Sequence, residues 1–228
     1  MCSLAEKFRI CPLGKFGTRI LNSQKYFLSM STSHEISQGF VGPIGFFTAQ
    51  TRVRISPSET KPIASLQAGD MVSTPEGNRQ VLHLVEFNNE SKPFQLLMSD
   101  NIRSGVTPDL PFRKHSSDDW HRPRDNLKLF IHEGYANTVY NLVLSNGSSF
   151  YCQFDDRDYN FCALAHGMTH PKVYHPFWGT IVVVHCMHRC SIPTKAGTLK
   201  IKDVDVLRNS EGEVNGLAYK VLVIAKKF

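Results

Sequence analysis

Apolar and polar residues alternate over short runs along most of the chain, which is the pattern of half-buried β-strands. Residues 51–55 alternate strictly, so Val53 and Ile55 are expected on one face of a strand and Arg52 and Arg54 on the other. Clusters of turn residues such as Pro-Glu-Gly-Asn and Ser-Asn-Gly-Ser separate the later runs. The pattern predicts further strands at residues 71–72, 81–85, 94–98, 139–144, 149–152, 179–185, 199–207 and 219–225.

Helical periodicity is nearly absent from the sequence. Only residues 63–66 and residues 161–165 carry a brief helical pattern, so the chain is predicted to be all-β. The stretch Gly-Phe-Val-Gly-Pro at residues 39–43 marks the point where a compact domain begins. We therefore expect an N-terminal arm, residues 1–44, followed by a β-domain, residues 45–225.

The amino-acid composition indicates that this domain is globular. The chain has 228 residues, of which 41% are hydrophobic and 20% are charged, and a chain of this length buries a substantial core. Its longest apolar runs, such as residues 221–225, are far shorter than the roughly 20 residues of a membrane-spanning helix. The sequence therefore predicts no transmembrane segment.

Half of the net charge of +6 lies in the arm, which carries five basic residues and two acidic ones. An organellar transit peptide has this composition, and a solvated or docked arm has the same bias, so both interpretations stay open. We expect an intracellular protein, mitochondrial if the arm is a targeting signal and cytoplasmic otherwise. Six cysteines without a secretory signal ahead of them predict thiols in a reducing compartment.

The sequence offers one candidate metal site. Cys186, His188 and Cys190 have zinc-binding side chains and would share one face of a strand over residues 181–190. Because that face offers at most three ligands and no second spaced pair follows, we expect ordinary half-buried side chains, with no metal and no other cofactor.

Two motifs carry a resemblance to a known family. The start of the domain, residues 45–54, and the Leu-x-x-Gly-Asp-x-Val pattern at residues 66–72 resemble the opening of Hint domains, the autoprocessing modules of inteins and Hedgehog proteins. Later segments are similar to the Hint variant that accompanies von Willebrand A domains, called Vint. The resemblance implies a horseshoe of short antiparallel strands with an N-terminal extension, and it matches Gly69, Asp70, Thr107, Trp120, His166 and His175 to family positions.

The resemblance also implies what chemistry the chain lacks. In that family a Cys at the first domain residue attacks the preceding carbonyl, and a His in a Thr-x-x-His motif protonates the leaving amide. Here Phe46 occupies the first position, Leu110 the second, and Ser148 a third polar position. The sequence therefore predicts an inactive domain, in which Phe46 and Leu110 pack into a dry core and each contributes ~1.5–3 kcal/mol on burial.

The function expected is that of a structural or accessory subunit, or a protein-interaction module, in a larger assembly. Two alternatives stay open: autoprocessing by an unrecognised nucleophile, for which Cys162 beside His166 and Thr48 are weak candidates, and a basic module that binds nucleic acid or a membrane surface. The residues expected to contact protein partners, or nucleic acid in the last alternative, are Arg52, Arg54, Trp120, Arg122 and Arg124.

Overall fold

The computed structural model describes residues 8–10, 45–99, 103–125, 132–147, 149–154, 160–167, 177, 180–192, 194, 196–202, 204–210 and 214–220. Within them the chain forms short strands and one α-helix, so the predicted all-β fold is confirmed. The strands are β1 Phe8–Ile10, β2 Arg52–Ser56, β3 Glu59–Pro62, β4 Met71–Thr74, β5 Gly77–Asn88, β6 Phe94–Met98, β7 Gly105–Val106, β8 Phe112–Lys114, β9 His132–Ala136, β10 Thr138–Leu144, β11 Ser149–Gln153, β12 Asn160–Leu164, β13 Ser191–Ile192, β14 Thr198–Lys202, β15 Val204–Arg208 and β16 Val214–Lys220, and helix α1 is Ile181–Cys190.

The strands pair in four groups. One sheet has the order β3-β2-β11-β12-β8, and a second has the order β10-β5-β14-β13 with β4 also on β5. Two three-stranded groups, β7-β6-β9 and β1-β16-β15, complete the pairing of the described residues. Strand β14 runs parallel to β5, and the other pairs are antiparallel.

The predicted alternation of residues 51–55 is clear at Arg52 and Val53 in β2, whereas Arg54 and Ile55 are both half-buried. Val53 is fully buried, Ile55 is half-buried against the same cluster, and Arg52 is exposed. The short helical pattern at residues 63–66 corresponds to a 3₁₀ turn at Ile63–Ser65. Hydrophobic patterning therefore predicted correctly that Val53 faces the core and Arg52 faces solvent in β2.

Three predicted elements are wrong. Residues 161–164 lie in strand β12 rather than in a helical turn, and the run 199–207 is divided between two strands of different sheets. The predicted strand at 179–185 is instead the start of α1. Val183, Val184 and Met187 are buried at helical spacing, so packing of one helix face overrides the β-propensity of the branched residues.

Two apolar clusters form the core. The first lies beneath the sheet β3-β2-β11-β12-β8 and contains Phe47 and Phe150, and the second joins β5 and β6 to α1 and β16 and contains Phe46. Because side chains of consecutive residues in extended chain point to opposite sides, Phe46 and Phe47 enter different clusters. Among the helices that the structure describes, none is long and apolar enough to cross a membrane.

Candidate functional site

The peptide group between Gly45 and Phe46 is held through both of its polar atoms. The amide of Phe46 donates to Thr107 Oγ1 at 3.0 Å, and the carbonyl oxygen of Gly45 accepts from Asn141 Nδ2 at 2.5 Å. Thr107 Oγ1 also accepts from the amide of Gly45 at 3.2 Å, and all four residues are buried. This junction peptide is therefore fixed at the start of the domain, away from solvent.

The local backbone explains why residue 45 is a glycine. Gly45 has φ +94°, in the left-handed region where a side chain is strained. A Cβ there would also lie 3.1 Å from Leu110 Cδ1, closer than most real contacts. Leu110 therefore packs directly against the Gly45 side of the junction peptide.

A turn built from Thr107 to Leu110 forms one wall of the site. The amide of Leu110 donates to the carbonyl of Thr107 at 3.2 Å, and Asp109 in the same turn is buried and forms ion pairs with Arg124 and Arg122. Burial raises the pKa of Asp109, and the positive charge of Arg124 opposes this shift. Two of the arginines expected to contact partners thus pair with Asp109 of this turn, and Arg122 is about half exposed and Arg124 one-third exposed.

Phe46 lies on the other side of the junction peptide. Its side chain is fully buried, and its ring lies 5.5 Å from that of Phe87 and 6.5 Å from that of Phe94, between ring centres. Leu110 is 1% exposed and belongs to the Phe47 cluster, so the two residues flank one peptide from different clusters. The surroundings of the junction are packed with apolar side chains on both sides.

His166 completes the site. It is 3% exposed, its amide donates to the carbonyl of Leu142 at 2.9 Å, and its ring meets the Phe46 ring edge-on with centres 4.9 Å apart. Burial lowers the pKa of His166 to about 3, so the imidazole is neutral at physiological pH. The uncharged imidazole therefore packs against the Phe46 ring.

His166 is expected to make folding sensitive to mild acid. Its pKa is about 3 in the folded chain and about 6.5 when unfolded, so the unfolded state binds the extra proton below pH 6.5. Stability is complete above that pH and falls by about 1.4 kcal/mol per unit below it, or about 2 kcal/mol at pH 5. Urea unfolding at pH 7.5 and pH 5 measures this loss.

The matched control for this measurement is His166→Gln, which keeps a polar side chain but cannot titrate. The variant should lose about 2 kcal/mol less stability than the native chain between the two pH values. Equal losses in both proteins would show that His166 does not carry the acid sensitivity.

The other family-matched residues shape turns or lie outside the described residues. Gly69 has φ +99°, and its amide donates to the carbonyl of Val81 at 2.9 Å. The Asp70 carboxylate accepts from the amide of Gln67 at 3.1 Å, which closes the turn before β4. Ser148 and His175 lie outside the described residues.

Of the remaining partner candidates, Arg52 and Arg54 lie on β2, on the face opposite Val53, and Trp120 follows β8 in the chain. Arg54 lies over the ring of Tyr151 at 5.6 Å, and Arg113 lies over the ring of Trp120 at 5.7 Å. Arg52 is exposed and donates through Nε to Thr60 Oγ1 at 2.6 Å. Tyr151 and Arg113 contact two of these side chains and were not among the candidates predicted from the sequence.

The expected geometry of the candidate metal ligands is wrong because their segment is helical. Cys186 is buried and Cys190 is half-buried against the Phe46 cluster, whereas His188 is exposed, with its ring 4.5 Å from that of His83. The strand face that would have aligned the three side chains therefore does not exist. In the ranges that the structure covers, no group of three or more His, Cys, Asp or Glu side chains could hold a metal ion.

The weak nucleophile candidates have structural contacts. Cys162 is buried and donates to Ser149 Oγ at 3.0 Å, and burial raises the pKa of its thiol to about 11. Thr48 Oγ1 accepts from the amide of Gly105 at 2.9 Å and lies 3.2 Å from Thr51 Oγ1. Both side chains therefore serve the packing around the site.

The family model named Vint, a Hint domain, matches residues 45–216, about three quarters of the chain. The chain belongs to this family. Its first described domain residue, Gly45, is also the first residue of the match.

Solved structures of inteins are also similar to the chain. The crystal structure of the gp41-1 intein is 14% identical, covers 53% of this chain and 98% of the intein, and has a TM-score of 0.35. A substituted form of the same intein has the same identity and coverage, with a TM-score of 0.34. No curated protein matches the chain.

Proposed function

We propose that this chain is a catalytically inactive Hint domain that acts as a structural subunit or protein-interaction module in a larger assembly. One observation carries the proposal. The junction peptide is held by Thr107 and Asn141, while the two positions that would supply thiol and imidazole bear the buried side chains of Phe46 and Leu110. The bond is positioned, and the groups that would break it are missing.

Each step of an acyl shift needs a group that these side chains lack. A benzyl side chain has no lone pair with which to attack the Gly45 carbonyl carbon, and an isobutyl side chain has no proton for the leaving nitrogen. His166 is neutral, and the high pKa of Cys162 leaves almost no thiolate at neutral pH. The residues around the junction therefore favour retention of the arm.

We assign the partner surface to the outer face of the sheet β3-β2-β11-β12-β8, which is the face opposite Val53. Arg54 and Arg113 are stacked on aromatic rings there, and such pairs hold guanidinium groups in fixed orientations. Arginine and aromatic side chains are enriched at the centres of protein interfaces. A face with these properties fits a protein partner that presents carboxylates.

The intact mass of the purified chain tests the inactivity. The protein is incubated at pH 7–8.5 with a small thiol or hydroxylamine, either of which would trap a thioester or ester at the junction. We expect a single species at the full mass of 25.8 kDa. A product that lacks residues 1–45 would overturn the proposal and establish autoprocessing.

The interaction role has its own test. Arg52→Glu with Arg54→Glu reverses charge on the proposed face, and Lys92→Glu is a matched control on an exposed loop residue away from it. Co-purification from native source should lose its partner with the first variant and retain it with the second. Equal loss, or no loss, contradicts the assignment of this face.

A further inference from the structure

Strand β16 is paired on both of its edges, and one of its neighbours comes from the arm. Phe8 pairs with Lys220, Arg9 with Tyr219 and Ile10 with Ala218, all antiparallel. On its other edge β16 pairs with β15. Without β1, the backbone N–H and C=O groups on that edge of residues 218–220 would have no strand beside them.

The core holds β16 in place independently of the arm. Its Val214 and Leu217 side chains are 2% and 0% exposed and belong to the cluster of Phe46. Val183 and Met187 of α1 are in the same cluster. Because these contacts fix β16, its outer edge is a preformed template, and only the incoming segment must be ordered when a strand is added.

The arm segment Phe8–Ile10 is expected to pair only weakly with this edge of β16. Three paired residues gain few hydrogen bonds, and each hydrogen bond contributes little net free energy after water is displaced. Residues 11–44 join the segment covalently to the domain, and a covalent connection can supply an effective concentration of order mM. Pairing is therefore sustained by the covalent connection and stays exchangeable.

We propose that the outer edge of β16 at residues 218–220 is a strand-accepting site, and that its resident is the chain's own segment Phe8–Ile10. The family match spans residues 45–216, so this pairing joins two segments outside the matched part of the chain. The inference rests on the proposed function, in which the arm is never released. Its consequence is that residues 8–10 of the arm lie beside β16.

Hydrogen exchange of the full chain tests the site. Prolines at the three arm positions, Phe8→Pro with Arg9→Pro and Ile10→Pro, remove every N–H of β1 and prevent pairing. The matched control moves the prolines to Leu21→Pro, Asn22→Pro and Ser23→Pro in the same arm. We expect the amides of residues 218–220 that face β1 to exchange about tenfold faster in the first variant and at the native rate in the control.

The amides of β15 should stay protected in both variants, which shows that β16 remains folded. Native exchange rates in the first variant would overturn the proposal. A dimer detected by light scattering at the working concentration, together with protection of residues 218–220 that is lost on dilution, would also overturn the proposal. The strand beside β16 would then be the arm of a second copy. Intact mass reports the junction separately, so failure of the proposed function and failure of this site are distinguishable.

Discussion

A chain that carries both Phe46→Cys and Leu110→His is expected to cleave its own Gly45–Phe46 peptide bond, whereas the native chain stays intact. The two substitutions supply the thiol and the imidazole that the proposed function takes to be missing at these positions. The peptide is already held by Thr107 on its N–H and by Asn141 on its C=O, so the new groups meet a positioned bond. Loss of a catalytic nucleophile alone costs on the order of 10⁶ in rate, so the change is from undetectable to measurable.

The measurement is intact mass after incubation with a small thiol, which would release residues 1–45 from the domain. The single variants Phe46→Cys and Leu110→His are the controls, because each lacks one of the two groups and should stay uncut. A double variant that is folded by circular dichroism but yields no product would contradict the proposal that the side chains at these two positions keep the native chain uncut.

Phe46→Ala is expected to lower the free energy of unfolding by about 3–5 kcal/mol, as do other large-to-small changes at buried aromatic positions. The ring is fully buried and packs against Phe87, Phe94 and His166. Its removal therefore forfeits apolar burial and leaves a cavity at the junction of sheet and helix. Urea unfolding followed by circular dichroism measures the loss.

Tyr135→Ala supplies the comparison for this prediction. Tyr135 is also aromatic but is 71% exposed on β9, so its truncation should change the free energy of unfolding by no more than about 0.5 kcal/mol. Similar losses in the two variants would mean that Phe46 does not contribute to the core in the way its burial indicates.

Much of the fold could be predicted because hydrophobic alternation is a local signal. It located β2 and the faces of Val53 and Arg52 correctly. It failed at α1, where Ile-Val-Val-Val has strand propensity but tertiary packing selects the helix. Short polar strands such as β9, which contains Gly134 and Tyr135, have no alternation of apolar and polar residues from which to predict them. The parallel pairing of β14 with β5 depends on contacts between residues that are far apart in the sequence.

The candidate site could be predicted only in part, because contacts between residues far apart in the sequence leave no local pattern. The family motif located Phe46 and Leu110, and the structure buries both residues at the junction. Asn141 was missed, although a lone amide within the apolar run of β10 is an unusual feature that could have marked it. The contact of His166 with Phe46 joins residues 120 positions apart, and no periodicity records such a pairing.

Phe46 and Phe47 are consecutive, and they anchor the two apolar clusters of the domain. A change of backbone angles at this one step would move both rings, so we expect substitutions in the two clusters near Phe46 and Phe47 to be non-additive in their effects on stability.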